Sequence, residues 1–150
     1  MQDVEVPTNA LVLVSDGRRA RFLRNQGTPR QPQLIVEKAM DQVNPPTREQ
    51  GTDQPGRKHG TDGHARSAIE QTDWHQLEEE RFASEIAEEL YQLGHAQRFH
   101  ELVVVSPPKM LGDLRAKLHP KVAERVIAEV PKDLTNYSVP EINRMLGTQQ

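Results

Sequence analysis

Between Asp41 and Asp73 the chain has only four apolar side chains in 33 positions, Val43, Ala65, Ala68 and Ile69. A stretch of that composition buries too little apolar surface to offset the entropy of ordering it, so the core must come from the flanks. It also carries Pro45, Pro46, Pro55, Gly51, Gly56, Gly60 and Gly63, which oppose regular structure and predict a polar loop over about 43–71. Loops beyond about 12–15 residues are uncommon inside compact domains and tend to carry function or remain disordered. Outside this stretch the apolar share returns to that of an ordinary globular protein, and 150 residues suit one domain, 1–150, rather than two cores.

The upstream flank reads as strands. Asn9 to Ser15 is a short apolar run ending at Asp16-Gly17, and Arg18 to Arg24 follows with Ala20, Phe22 and Leu23. An Asp-Gly pair between two such runs predicts a two-residue hairpin with both central residues at positive φ. Leu34 to Val36 then make a third strand of an antiparallel meander. Downstream, Thr72 or Asp73 is placed to cap a helix running to about Leu93 and stopped by Gly94. Its apolar stripe is Phe82, Ile86, Leu90 and Leu93, with Leu77 and Trp74 off it. Asp73, Glu78, Glu79, Glu80, Glu85, Glu88 and Glu89 make the other face acidic against one cation, Arg81.

Leu102 to Val105 is aliphatic without alternation, as expected of a strand buried on both faces. Pro107-Pro108 ends it, and Met110, Leu111, Leu114 and Leu118 fit a short amphipathic helix closing near His119-Pro120. Val122 to Val130 fits either a helix or a strand. Ser138, with Pro140 behind it, opens a last helix through Ile142, Met145 and Leu146. The sum is an α/β fold: a mixed sheet of four or five strands flanked by helices, with strand 4 parallel to a neighbour.

The chain contains no cysteine, which excludes a disulfide framework, a thiolate zinc site and a cysteine nucleophile. Its longest early aliphatic run, Ala10 to Val14, is far short of the ~18 residues of a membrane helix. Residues 1–8 lack the basic start and apolar stretch of a secretory signal, so a cytoplasmic protein without membrane contact is expected. The net charge of -3 gives no long-range pull toward nucleic acid, so any RNA contact must be local, and no DNA partner is expected. Among His59, His64, His75, His95 and His100, no pair has the i, i+4 spacing of a helical metal motif. A magnesium nuclease needs converging carboxylates, and Asp16 with Glu101 is an incomplete set. No phosphate loop, dinucleotide fingerprint or Gly-x-Ser-x-Gly occurs, so no metal or cofactor is expected.

Several strings together carry a resemblance: LVLVSDGRRARFL (Leu11 to Leu23), Gly56-Arg57, GHAR (Gly63 to Arg66) and EEERFASEIAEEL (Glu78 to Leu90). LVVVSPPKMLGDLR (Leu102 to Arg115) and VPKDLTNYS (Val130 to Ser138) complete the set. With these the chain resembles the bacterial family of proteins required for attachment to host cells. That family is similar in turn to the middle domain of archaeal and eukaryotic class 1 translation release factors. The resemblance implies a ribonuclease-H-like mixed sheet and a role in ribosome rescue or peptidyl-tRNA hydrolysis, with the ribosome or tRNA as partner. In those release factors the loop after the third strand ends in Gly-Gly-Gln. Here that region reads Gly56 to His64, no Gly-Gly-Gln occurs, and neither Gln54 nor Gln71 inherits its role.

The candidate RNA-binding residues are Arg57, Lys58 and Arg66 in the loop and Arg18, Arg19 and Arg21 in the first hairpin, all able to pair with phosphate. Strand alternation puts Arg19 and Arg21 on one face, and Arg18 and Arg24 on the other. The hairpin arginines equally suit protection of an edge strand against aggregation, and the loop charges equally suit plain solubility. Lys109, Arg115, Lys117, Lys121 and Arg125 form a second basic region, opposed by Asp113 and Glu124. For catalysis the loop offers His59 and His64, with no nucleophile–base pair. The competing reading is a non-enzymatic protein–protein interaction module using the acidic helix or the loop.

Overall fold

The computed structural model describes residues 5–42 and 60–147, excepting the side chains of 60–73. Along the chain come β1 (Leu11–Ser15), β2 (Arg19–Asn25), β3 (Leu34–Asp41), α1 (Gly60–His95), β4 (Leu102–Val105), α2 (Pro108–Lys117), α3 (Pro120–Ala123), β5 (Val126–Val130) and α4 (Val139–Leu146). The strands form one open sheet in the order β3-β2-β1-β4-β5. β2 runs antiparallel to β1 and β3, while β1, β4 and β5 are mutually parallel. The expected meander is present, and the ambiguous Val122 to Val130 segment divides into the turn of helix α3 and the edge strand β5.

The unbroken apolar runs follow from burial on both faces. Leu11 and Leu13 of β1, with Leu102 and Val104 of β4, pack against Phe82, Ile86 and Leu90 of α1 and Met110, Leu111 and Leu114 of α2. Their alternates, Val12, Val14, Val103 and Val105, pack against Val6, Leu134, Ile142 and Leu146 on the opposite face. Period-two alternation therefore sends every second residue to a different core, and both must be apolar. The central pair β1–β4 begins at Leu11↔Leu102 and unites segments 91 residues apart (102 minus 11).

Three local expectations are corrected. The helix starts at Gly60, well before Thr72 or Asp73, so the expected loop of about 43–71 is helical from Gly60 onward. No proline follows Pro55 until Pro107, and Ala65, Ala68 and Ile69 recur at helical spacing. Two glycines, at ~1 kcal/mol each relative to alanine, weaken such a helix without forbidding it. At the other end Gly94 lies inside the helix. The left-handed residue is Gln97, at φ 60, and the N–H groups of Gln97 and Arg98 reach back to the carbonyls of Gly94 and Leu93. That is a Schellman closure with glutamine where glycine is usual. In the first hairpin the register Ser15↔Ala20 makes Gly17 and Arg18 the central residues, and no glycine has positive φ among the described residues. A Cβ at Gly17 would sit 2.8 Å from the Glu79 carboxyl carbon, the end of a flexible side chain that can move aside.

α1 has 36 residues and so extends about 54 Å, while the eight-residue β3 spans roughly 27 Å. The helix outruns the sheet it crosses. Its acidic face is less free than its composition suggests. Glu78 is buried against Arg81, while Glu79 and Glu89 pair with Lys109 and Lys38. Among its described residues Glu85 and Glu88 are exposed acids.

Candidate functional site

Polar groups gather where β1 and β4 end. Asp16 follows β1, and its Oδ1 accepts the N–H groups of Arg18 and Arg19, each at 2.8 Å, which sets the turn. Its Oδ2 lies 3.0 Å from the Thr135 hydroxyl, which also sits 2.6 Å from Asp133 Oδ1. One hydroxyl proton serves only one of the two carboxylates at a time. Burial alone pushes the Asp16 carboxyl up. The N–H donors of Arg18 and Arg19, the Thr135 hydroxyl and the Arg19 charge outweigh it and hold the group below its ordinary value. Beneath this turn the buried hydroxyls of Ser15 and Ser106 share a hydrogen bond of 2.8 Å, joining the ends of β1 and β4.

The chain leaves β3 at the same end. Gln42 donates its N–H to Arg18 O at 2.7 Å, and its side-chain amide donates to the carbonyls of Gly17 and Glu78 at 3.2 and 3.1 Å. This one side chain ties the stem of the following polar segment to both the hairpin and α1. Beside it Arg18, Gln42, His75, Glu78 and Glu79 line a cavity of about 230 Å³. At the start of α2, Lys109 stands 3.8 Å from Glu79 and 3.3 Å from Asp113. The arrangement offers fixed donors and one exposed guanidinium, that of Arg18, without a partner among the described residues.

The arginines of the hairpin divide by role. Arg19 and Arg21 share a face, as alternation requires, and both reach the segment between β5 and α4. Arg21 Nη2 donates to the carbonyls of Leu134, Thr135 and Tyr137 at 3.4, 3.1 and 3.0 Å. Arg19 Nη2 donates to Asn136 Oδ1 at 2.6 Å and lies 3.9 Å from Asp16. Arg24 forks onto both Glu37 oxygens, at 3.1 and 2.9 Å. β2 is flanked by β1 and β3, so edge protection does not account for its charges. Arg57, Lys58 and His59 lie outside the described residues. His64 and Arg66 fall on the backbone of α1, and their side chains are outside the description.

Asp16 and Glu101 do not converge. Asp16 follows the carboxyl end of β1 and Glu101 precedes the amino end of the parallel β4, about 20 Å apart along the strands. Among the described residues no three His, Asp or Glu side chains are grouped to hold a metal ion. In the second basic region Arg115 pairs with Glu129 at 2.6 Å, which raises the Arg115 pKa chiefly through that hydrogen bond. Gln42, His75 and Thr135 were not legible as site residues, because no spacing in the sequence connects them.

A mixed sheet covered on both faces, with its longest polar connection leaving from the end where β1 and β4 finish, defines an α/β domain. The chain belongs to bacterial archaeo-eukaryotic release factor family 12, which matches residues 9–146. It is therefore a release-factor-like domain. No curated protein sequence matches the chain. No helix among the described residues is long and apolar enough to cross a membrane.

Proposed function

We propose that this domain works at the translation machinery, presenting the glycine-rich basic segment from Val43 to Arg66 to ribosomal or transfer RNA. Membership of the release-factor family over residues 9–146 carries this reading. We infer a ribonuclease-H-like fold, supported by the strand order and by β2 being the single strand antiparallel to its neighbours. Gln42 supports the segment's role, since it fixes where that segment departs, beside Arg18 and the end of β1. Arg18, Arg57, Lys58 and Arg66 are the phosphate partners in this proposal, with Arg19 and Arg21 serving mainly to hold the neighbouring loop. Peptidyl-tRNA hydrolysis in a ribosome-rescue role is the enzymatic form of the reading, and without Gly-Gly-Gln it would rest on His59, His64 or backbone amides. The likeness to host-attachment proteins names a phenotype and adds no chemistry.

Cosedimentation with ribosomes tests the proposal. Pelleting that weakens with salt, and weakens further in an Arg57→Ala/Lys58→Ala variant, is the expected result. Absence from the pellet at both low and moderate salt would remove the translation reading and leave a protein–protein interaction module. Release of peptide from peptidyl-tRNA by the wild type, reduced in Arg57→Ala/His59→Ala, would establish the enzymatic form. Release at background level ends it.

A further inference from the structure

A second cavity, about 260 Å³, opens at the opposite end of the sheet, where β4 and β5 begin. It is lined by Tyr91, Gly94 and His95 at the end of α1, by His119 and Lys121 at the start of α3, and by Arg125 before β5. No acidic side chain among the described residues lines it. Tyr91 forms a ring cluster with His119 and His95, centroids 4.6 and 6.0 Å away. His119 Nδ1 accepts the Lys121 N–H at 3.0 Å, so Nε2 carries the ring proton and is a donor.

Arg125 is held rigidly. Its Nη1 donates to the carbonyls of Gly94 and Phe99 at 3.2 and 2.8 Å, and the guanidinium lies 5.6 Å from the Phe99 ring centroid. Nε and Nη2 keep their hydrogens without an acceptor among the described residues, and no carboxylate there pairs with Arg125 or Lys121. A preorganised guanidinium, an exposed ammonium and an imidazole donor beside three clustered rings suit a ligand with a planar aromatic part and an anionic part. The volume falls just below the ~300 Å³ at which drug-sized sites begin, room for one nucleotide unit.

We propose that this cleft binds a phosphorylated nucleoside, either free or as the phosphorylated end of an RNA strand. The base lies against the Tyr91–His95–His119 rings, and the phosphate is held by Lys121 and Arg125. The site is separate from the Val43 to Arg66 segment and does not rest on the ribosome reading.

The test is NMR titration of the full chain, following the ring protons of His95 and His119. The probes are adenosine monophosphate, adenosine, inorganic phosphate, and a short single-stranded RNA with and without a 5′-phosphate. Adenosine monophosphate is expected to saturate these shifts, with adenosine and phosphate each about tenfold weaker or more. Lys121→Gln and His119→Gln, both at exposed positions, should each weaken it about tenfold while the circular dichroism spectrum is kept. Tighter binding of the 5′-phosphorylated RNA than of the mononucleotide makes a strand end the source, and the reverse order makes it a free nucleotide. The proposal is overturned by absence of saturable shifts, by phosphate alone matching the mononucleotide, or by folded variants with unchanged affinity.

Discussion

Replacing Arg21 by methionine separates a structural arginine from an RNA-binding one. Methionine keeps most of the aliphatic stem and removes the guanidinium, whose Nη2 faces three carbonyls of the segment between β5 and α4. Two N–H groups serve two of those carbonyls at full strength, and a hydrogen bond to a charged group contributes about 1.5–3 kcal/mol. Because the loop is partly wet, water recovers some of this in the variant, which leaves a loss of about 2 kcal/mol. At roughly 2–4 °C per kcal/mol for a domain of this size, Tm should fall by about 4–8 °C, read by far-ultraviolet circular dichroism. Arg18→Met, with no side-chain partner to lose among the described residues, should stay within about 0.5 kcal/mol of the wild type. Equal melting of Arg21→Met and wild type, or an Arg18→Met as unstable as Arg21→Met, would refute the division of roles. If the roles are right, Arg18→Met and not the folded Arg21→Met should reduce ribosome pelleting.

Three further outcomes are expected. The folded Asp16 carboxyl gives up its proton more readily than the unfolded one, so its stabilisation is complete above the ordinary value of 3.8 and is lost as pH falls through the lower folded value. Urea denaturation of Asp16→Asn should therefore show a constant deficit from neutrality to about pH 5 that closes in acid, and a deficit unchanged in acid would contradict this. The buried Asn25 side chain donates to Val6 O at 2.8 Å and accepts from the N–H groups of Gly27 and Gln33 at 2.8 and 2.9 Å. Asn25→Ala strands all three and should cost about 2–4 kcal/mol in urea denaturation; a loss below about 1 kcal/mol would show that water replaces them. Gln97→Gly relieves a left-handed residue at the end of α1 and should raise stability by about 0.5–1 kcal/mol, so a lowered Tm would count against strain there.

What the sequence determined by itself is the set of pieces. Periodicity is a local property, so the stripe of Phe82, Ile86 and Leu90 and the unbroken Leu102 to Val105 run announced a helix and a doubly buried strand without reference to anything distant. The Ser138 cap is equally local, and the structure adds a box in which Glu141 answers it. Local signals failed where several conformations satisfy the same residues. Gln97 takes the left-handed role because the helix closes there, past the glycine that composition favoured. The onset of α1 was hidden because the glycines that weaken a helix do not exclude one.

Only the tertiary structure decided which pieces meet. β1 pairs with β4 because both must bury two apolar faces at once, and only the centre of a five-stranded sheet offers that. That assembly laid the segment between β5 and α4 against β2, which the meander itself makes an interior strand, and gave its arginines a loop to hold. It also brought Tyr91, His119 and Arg125, unrelated by any spacing, to the walls of one cavity. Contacts of that kind depend on how faces are covered across the whole domain, which no window of neighbouring residues encodes.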